Sequence, residues 1–562
     1  MIIGLLQLNS TVGDFAANRR KLLDGYEQAV ALGAEFVLAP ELFLCGYPPR
    51  DLLQRADFID ANFAALEETA KSVGPVPLCA GYVDRNSEKP GRALRNSAAV
   101  LQNGMIRWRT HKSLLPTYDV FDEDRYFEPA KSAAPFEFGG RKLGITICED
   151  IWNDEDFWPE RIYRRDPVRE LMAQGAEIIL NISASPWHDG KERTRLEMLQ
   201  RVARDEKIPL AQVNLVGAND ELIFDGHSVA LDSRGEVVAL GKGFAEEIFV
   251  ADLEINPSGG RREPAQIKSE RTDVRCYEFP PREAQIFSAL SLGIRDYVRK
   301  CGFKSVILGL SGGIDSALVA VLAADALGAE NVLGVAMPAR YSSSGSLSDA
   351  AALAKNLKIR YEVLPIEPVF NSVEKQLEKV FAGTKPNEAE ENVQSRLRGV
   401  TLMALSNKFG ALVLTTGNKS EMAVGYCTLY GDMNGALAPI ADVMKTDIYK
   451  IARWVNRERE IIPENSIVKP PSAELRPNQK DQDSLPPYET LDAILDLYVV
   501  KNLGKPEIVA RGFDAAVVND VVNKINFSEY KRRQAAPALK ISPRAFGMGR
   551  RIPIAQKFRT KT

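Results

Sequence analysis

The chain runs to 562 residues with a formal net charge of −3 at pH 7, and 45% of its residues are hydrophobic and 26% charged. That length is too great for one core, so two or more domains are expected. The slight acidity argues against a dedicated nucleic-acid surface, and no run of about 18 apolar residues offers a membrane span.

Cysteine and histidine usage narrows the chemistry. The six cysteines (Cys45, Cys79, Cys148, Cys276, Cys301, Cys427) form no C-x-x-C pair, and there are only three histidines, His111, His188 and His227. A disulfide framework or zinc site is not expected, and a reducing cytoplasm fits. The start, MIIGLLQLNS, lacks a basic n-region and reads as a first strand, not a signal peptide.

In chain order, 2–8 reads as a buried strand, 15–33 as a helix ended by Gly33, and 36–39 as a strand followed by Pro40 and Glu41. A carboxylate just past a hydrophobic strand stands where α/β folds place their chemistry; a solvated loop glutamate is the plain alternative. A strand at 76–83 follows. Residues 97–102 and 105–110 read as a hairpin turned by Asn103-Gly104, with Lys112 just beyond it. Residues 142–147 form the next strand, with Cys148 at its carboxyl end before the polar EDIW, and 177–193 repeats the pattern with Ser183, Ser185, Trp187 and Lys191 at the exit. Cys148 can be core packing. It can also be a thiol nucleophile, which needs help to attack an amide at neutral pH. Glu41 can take its proton, and Lys112 can stabilise the thiolate and the oxyanion.

The strings APELFLCGY, HKSLLP and ITICEDIW resemble the carbon–nitrogen hydrolases of the nitrilase family over about residues 1–255. The resemblance implies an αββα sandwich. It makes Glu41 the general base, Lys112 the oxyanion-stabilising lysine and Cys148 the nucleophile. Tyr118, Ser185 and Lys191 match positions that hold glutamine in the glutamine-dependent members.

Residues 254–285 are charged and rich in Pro and Gly, and read as a linker, placed at 256–284; a long active-site loop is the alternative. The second domain, 285–562, opens with a helix at 286–301. Then KSVILGLSGGIDS (304–316) reads as a strand running into a Gly-Gly turn, with a helix expected over 317–327 and Gly328 as its stop. A strand, a glycine turn and a helix N-terminus make an anion site, and Ser311, Ser316 and Asp315 can add hydroxyl donors and a magnesium ligand. Strands are expected within 331–343 and 359–366 and at the start of 411–432, where a polar loop follows, with a helix over 390–410. This alternation predicts a doubly wound parallel sheet with ligands at the carboxyl strand ends. Residues 463–489 read as a loop able to order over substrate. The last 23 residues, 540–562, carry seven Lys or Arg and no acid, which suits an anionic substrate or a neighbouring subunit better than nucleic acid here.

SGGIDS lacks the Gly-Lys-Ser/Thr of a Walker A loop and resembles the PP-loop of ATP pyrophosphatases. With the helix carrying Asn392 and the string TTGNKSEMAVGYCTLYGD, the second half resembles the NAD synthetases of that group. The resemblance assigns Gly309, Leu310, Ser311, Gly312, Gly313, Ile314, Asp315, Ser316 and Thr416 to ATP, and Asp315 and Glu421 to Mg2+. It assigns Asn392, Glu421 and Lys531 to deamido-NAD, with Lys445 near phosphate. Over nearly the whole chain the likeness is to glutamine-dependent NAD synthetases. It implies amidation of deamido-NAD with ammonia from L-glutamine through an adenylate, giving AMP, pyrophosphate and glutamate. Since free ammonium is no nucleophile, a passage for ammonia from Cys148 to the PP-loop is expected as well, in a cytoplasmic homo-oligomer. Two other readings stay open: a PP-loop amidotransferase acting on a nucleotide base, and a non-catalytic nucleotide-sensing scaffold.

Overall fold

The computed structural model describes residues 1–153, 157, 162–253 and 278–558. The chain divides into two compact units, Met1–Pro280 and Pro281–Thr562. Most of the expected linker, 254–277, lies outside the described residues. Among the described residues no helix is long and apolar enough to cross a membrane.

The first unit holds two six-stranded sheets. One runs, in spatial order, Glu247–Asp252, Ile2–Gln7, Phe36–Leu38, Leu78–Arg85, Leu94–Gln102, Met105–His111. The other runs Val237–Leu240, Val229–Leu231, Leu210–Asn214, Ile178–Ser183, Arg141–Ile147, Phe136–Phe138. The central strands of each are parallel. Strand pleat explains why these segments read as continuous apolar runs: both faces are buried. Ile3, Leu5, Phe36 and Leu38 of the first sheet share a core with Ile145, Ile147, Leu180 and Ile182 of the second. The alternating residues pack outward onto helices, Leu6 and Val37 with Leu22 and Tyr26 of the helix Phe15–Ala31, and Ile179 with Met198, Leu199 and Val202 of the helix Lys191–Asp205. The layers are therefore αββα. Asn103 and Gly104 both take positive φ (50° and 77°), the geometry a two-residue hairpin turn needs to match strand twist.

The second unit is built on a four-stranded parallel sheet in the order Arg360–Val363, Val332–Ala336, Val306–Gly309, Leu412–Leu414. The first strand in sequence lies between the second and the fourth, so the winding reverses beside it, and this is where such sheets open a crevice at their carboxyl ends. Ile307, Val335 and Val413 pack with Leu402 of the helix Glu388–Phe409 on one face. The helix after SGGIDS spans Ile314–Leu327, three residues earlier than the expected start, because Gly313 already serves as its N-cap. Ile314, Asp315 and Ser316 thus form its first turn. Residues 463–489 are not one loop: they contain the short helix Glu464–Val468 and a 3-10 turn Asp481–Asp483.

Candidate active sites

In the first unit, four strand exits converge. Glu41 follows Phe36–Leu38, Lys112 follows Met105–His111, Cys148 follows Arg141–Ile147, and Ser185 follows Ile178–Ser183. Gly81 makes room for the first of these turns: a Cβ there would lie 2.3 Å from the Leu42 nitrogen and 2.6 Å from the Pro40 carbonyl oxygen. Cys148 itself has φ 45°, an uncommon conformation for a residue with a side chain, at the sharp change from strand to a 3-10 turn.

The Lys112 ammonium donates to Glu41 Oε1 at 2.7 Å and to Glu123 Oε1 at 2.9 Å. Glu41 Oε1 also accepts from Asn96 Nδ2 at 2.7 Å, and its Oε2 from the Ala184 backbone N–H at 2.9 Å. Tyr47 donates its hydroxyl to Glu123 at 2.9 Å. Burial works against the ammonium, but Glu123 and Glu41 outweigh it and hold the Lys112 pKa well above the usual lysine range. Burial pushes Glu123 the other way, up to about 7; Lys112 opposes the rise and Glu41 adds to it. One ammonium thus serves two carboxylates. The Cys148 thiol is raised by burial and by the charge of Glu41, against the pull of Lys112, so it rests protonated and needs a base.

Asp150 couples two of these exits. Its Oδ1 accepts from the backbone N–H groups of Ser113 (2.8 Å) and Leu114 (2.9 Å), and its Oδ2 from Ile147 N–H (3.1 Å). The chain beside Lys112 is therefore pinned to the turn that carries Cys148.

The three residues expected to hold glutamine do not all touch one another, but aromatic rings link two of them. Tyr118 stacks edge-on to Phe121 with ring centroids 5.4 Å apart, and Lys191 Nζ lies 6.0 Å from the centre of that same ring and 5.4 Å from that of Trp152. Lys191 also donates to Pro186 O at 2.7 Å. Ser185 is buried, its backbone N–H held by Asn214 Oδ1 at 3.0 Å. Tyr118 donates to both oxygens of Glu149 (2.9 and 3.0 Å), and Tyr163 donates to Glu149 Oε1 at 3.0 Å. Burial raises the pKa of this carboxylate, next in sequence to the cysteine. Glu123 and Asn96 carry no local signal in the sequence; Glu149 and Asp150 stand in the polar EDIW stretch after Cys148, which marks their place but not their partners.

In the second unit the SGGIDS turn folds on its own hydroxyls. Ser311 Oγ accepts from Gly313 N–H at 3.2 Å and lies 3.2 Å from Ser316 Oγ, which donates to Gly313 O at 3.0 Å. Gly312 has φ 77°, and a Cβ on it would fall 2.2 Å from the Ser346 carbonyl oxygen, so glycine is required. The turn opens onto a cavity of about 290 Å³ lined by Gly309, Ser311, Gly313 to Ser316 and the half-buried Thr416. Residues of the 463–489 segment, among them Lys469, Glu474 and Asp481, complete the wall.

Carboxylates and one lysine meet on the cavity floor. Asp315 accepts from Lys445 Nζ, and from Asn418 Nδ2 at 2.9 Å. Lys445 Nζ is 3.5 Å from Glu421 Oε1. Asn418 caps the helix Lys419–Val424, its Oδ1 accepting from Glu421 N–H at 3.0 Å. Burial raises Glu421 to about 8, with Lys445 opposing and Asp315 and Asp481 adding. Lys445 is held above the usual lysine range by Asp315 and Glu421, against burial. Among the described residues no three His, Cys, Asp or Glu side chains gather as a metal cage. Two hard carboxylates beside a phosphate-sized cradle nevertheless suit Mg2+, which keeps waters and shares substrate phosphates.

Asn392 and Lys531 converge on one turn of that wall. Thr428 donates its hydroxyl to Asn392 Oδ1 at 2.7 Å, and Lys531 Nζ donates to Gly425 O (2.7 Å) and Cys427 O (2.8 Å).

Comparison with known proteins agrees with this division. Residues 2–260 match the Carbon-nitrogen hydrolase family and residues 286–535 the NAD synthase family. The chain is 47% identical to the glutamine-dependent NAD(+) synthetase of Synechocystis sp. over 561 residues, covering 99% of each. It is also 47% identical to that of Thermotoga maritima over 584 residues, again covering 99% of each. The solved glutamine-dependent NAD+ synthetase of Acinetobacter baumannii, a complex with ADP, superposes with a TM-score of 0.75 at 36% identity, covering 98% of each chain. A hydrolase unit with a buried Glu–Lys pair beside a cysteine, a synthetase unit with an SGGIDS cradle, and end-to-end identity at this level lead to one conclusion: the chain belongs to the glutamine-dependent NAD(+) synthetases.

Proposed function

We propose that the two units run one reaction: glutamine, ATP and deamido-NAD give glutamate, AMP, pyrophosphate and NAD+. The observation that carries the proposal is the Lys112–Glu41 contact, in the same chain as a phosphate cradle floored by Asp315, Glu421 and Lys445.

In the first unit Glu41 takes the thiol proton as Cys148 Sγ attacks the glutamine side-chain carbonyl carbon. The Lys112 ammonium stabilises the oxyanion. The C–N bond breaks, the proton goes to the leaving nitrogen, and NH3 departs from a glutamyl thioester. Water, deprotonated by Glu41, then releases glutamate. Tyr118 and Glu149 supply an acceptor for the glutamine ammonium group.

In the second unit the turn 311–316 and the first turn of the helix Ile314–Leu327 cradle the phosphates through backbone N–H groups and the helix dipole. Asp315 and Glu421 would hold Mg2+, which supplies charge neutralisation at the phosphates. An oxygen of the nicotinate carboxylate attacks the α-phosphorus and pyrophosphate leaves. NH3 then attacks the acyl carbon of the adenylate, and AMP leaves. Asn392 and Lys531 shape the deamido-NAD side of the cavity by holding the turn Gly425 to Thr428. Because ammonium is no nucleophile, the nitrogen reaches the adenylate as NH3 without equilibrating with bulk ammonium.

The test is an assay of deamido-NAD and ATP with glutamine or ammonium in parallel. NAD+ and AMP in equal amounts from both nitrogen sources are expected; formation of ADP overturns the reading. Labelled ammonium that competes fully with glutamine nitrogen would overturn direct transfer.

A further inference from the structure

The floor of the nucleotide cavity is presented by two separate helix starts. Glu421 sits in the helix Lys419–Val424 and Lys445 opens the helix Lys445–Val455. The chain leading into Lys445 is tied to the first helix, Lys419 N–H donating to Val443 O at 2.9 Å and Lys419 Nζ pairing with Asp442 at 2.8 Å, and Asp315 of the SGGIDS turn accepts from Lys445 and from Asn418. The Lys445 ammonium lies between Asp315 and Glu421, 3.5 Å from the latter. A third element braces this junction of two helix starts.

That role falls to the helix Tyr488–Leu495. Its Asp492 is buried, 4% exposed. Ser420 Oγ donates to Asp492 Oδ1, and Thr446 N–H donates to Asp492 Oδ2 at 2.9 Å. Ser420 Oγ in turn accepts from Lys445 N–H at 2.9 Å. One carboxylate thus takes a side-chain hydroxyl from the first turn of one helix and a backbone N–H from the first turn of the other, the latter a group with no intrahelical partner. One helical turn earlier, Tyr488 lies on the same face. Its ring centre is 5.5 Å from Lys445 Nζ, and its hydroxyl donates to Asp481 Oδ2 at 2.8 Å. This helix therefore bears on both ends of Lys445: Asp492 holds Ser420, which accepts the Lys445 N–H, and the Tyr488 ring lies against the ammonium.

We propose that Asp492 is a positioning residue for the synthetase reaction: it fixes Glu421 and Lys445 at the separation that ATP binding requires, and it does so by hydrogen-bond geometry without touching the nucleotide. The inference rests on the ATP-binding reading of this cavity.

The geometry makes the isosteric variant informative. In Asp492→Asn the amide oxygen can still accept from Thr446 N–H, and the amide N–H can meet Ser420 Oγ, which accepts as well as donates. Asp492→Ala leaves both helix starts without their shared partner. Equilibrium binding of ATP with saturating Mg2+ is measured by calorimetry on the full-length chain, together with KM and kcat for ATP. Circular dichroism and a urea melt of each full-length variant serve as the folding control. Asp492→Ala is expected to weaken ATP binding on the order of tenfold and to raise KM for ATP more than it lowers kcat, while Asp492→Asn stays within about threefold of wild type. Unaltered ATP binding in Asp492→Ala overturns the proposal, and so does Asn falling as far as Ala, since charge would then matter and not geometry. If Asp492→Ala does not fold, Ser420→Ala, which cuts the link to Lys445 N–H, carries the same expectation, and wild-type binding in it overturns the proposal. Wild-type protein that binds no ATP removes the ATP-binding reading itself, a result distinct from any variant effect.

Discussion

The ammonium of Lys112 lies 2.7 Å from Oε1 of Glu41, and neither side chain exposes any surface to solvent. A charge pair this deep exists only because further hydrogen bonds meet the remaining lone pairs and protons. Asn96, Ala184 and Glu123 supply them here. The pair reserves a base and a cation at the exits of two strands of one sheet, which is the arrangement a buried thiol needs in order to react.

Breaking that pair is expected to cost both stability and activity. Lys112→Ala leaves Glu41 and Glu123 buried without their counter-charge, a loss of about 3–5 kcal/mol. Glutamate release from glutamine should fall on the order of 10²-fold or more. Urea melts and a glutaminase assay check both; synthesis from ammonium should persist wherever the chain remains folded.

Glu123 gives the first unit a signed pH dependence. Its carboxyl is raised from 4.5 to about 7 in the folded chain, by burial first. Between those values the folded protein keeps a proton that the unfolded chain has released, so the Glu123 contribution to stability is full below pH 4.5 and is lost as pH rises through about 7. Glu123→Gln should abolish that slope while keeping the side-chain shape. Unfolding midpoints of both proteins across this range test it, and parallel curves would contradict it.

Tyr118→Phe removes the hydroxyl that donates to both oxygens of Glu149, while Tyr163 still donates to Oε1. With Glu149 left short of a hydrogen bond, a cost of about 1–3 kcal/mol is expected. It should show as a KM for glutamine raised on the order of tenfold, with kinetics on ammonium unchanged. A change confined to the ammonium reaction would contradict the placement of glutamine beside Tyr118.

Asp315→Ala should stop synthesis with either nitrogen source. It removes the carboxylate that Lys445 and Asn418 share, and with it the donor expected to meet Mg2+. Glutamine hydrolysis in the first unit should continue, and loss of AMP formation with retained glutaminase is the pattern to look for.

Much of this architecture was legible in the residues. Apolar runs that stop abruptly at Glu41 and Cys148 mark the exits of parallel strands, because a parallel sheet buries both faces and turns polar only at its ends; Lys112 instead follows an antiparallel strand of alternating exposure, marked by its hairpin turn. Asn103-Gly104 marks its hairpin through the positive φ that both residues tolerate. Glu123 was not legible: it stands among Asp119, Asp122 and Asp124, and nothing local separates it from them; only the fold carries it to Lys112. Asp492 is the same case, since its partners Ser420 and Thr446 are 72 and 46 residues away. The early start of the helix at Ile314 was hidden by the glycines that precede it, which read as a turn although Gly313 caps the helix. Asn418, by contrast, had a signal in its spacing: an Asn three residues before Glu421 is the sequence mark of a helix capping box, which the structure contains.

The most direct measurement compares wild type with Cys148→Ala, each given deamido-NAD and ATP with either glutamine or ammonium, and counts NAD+, AMP and glutamate. The account predicts that Cys148→Ala makes no NAD+ from glutamine, yet makes NAD+ and AMP in equal amounts from ammonium at a rate close to wild type. Continued use of glutamine by Cys148→Ala would contradict it.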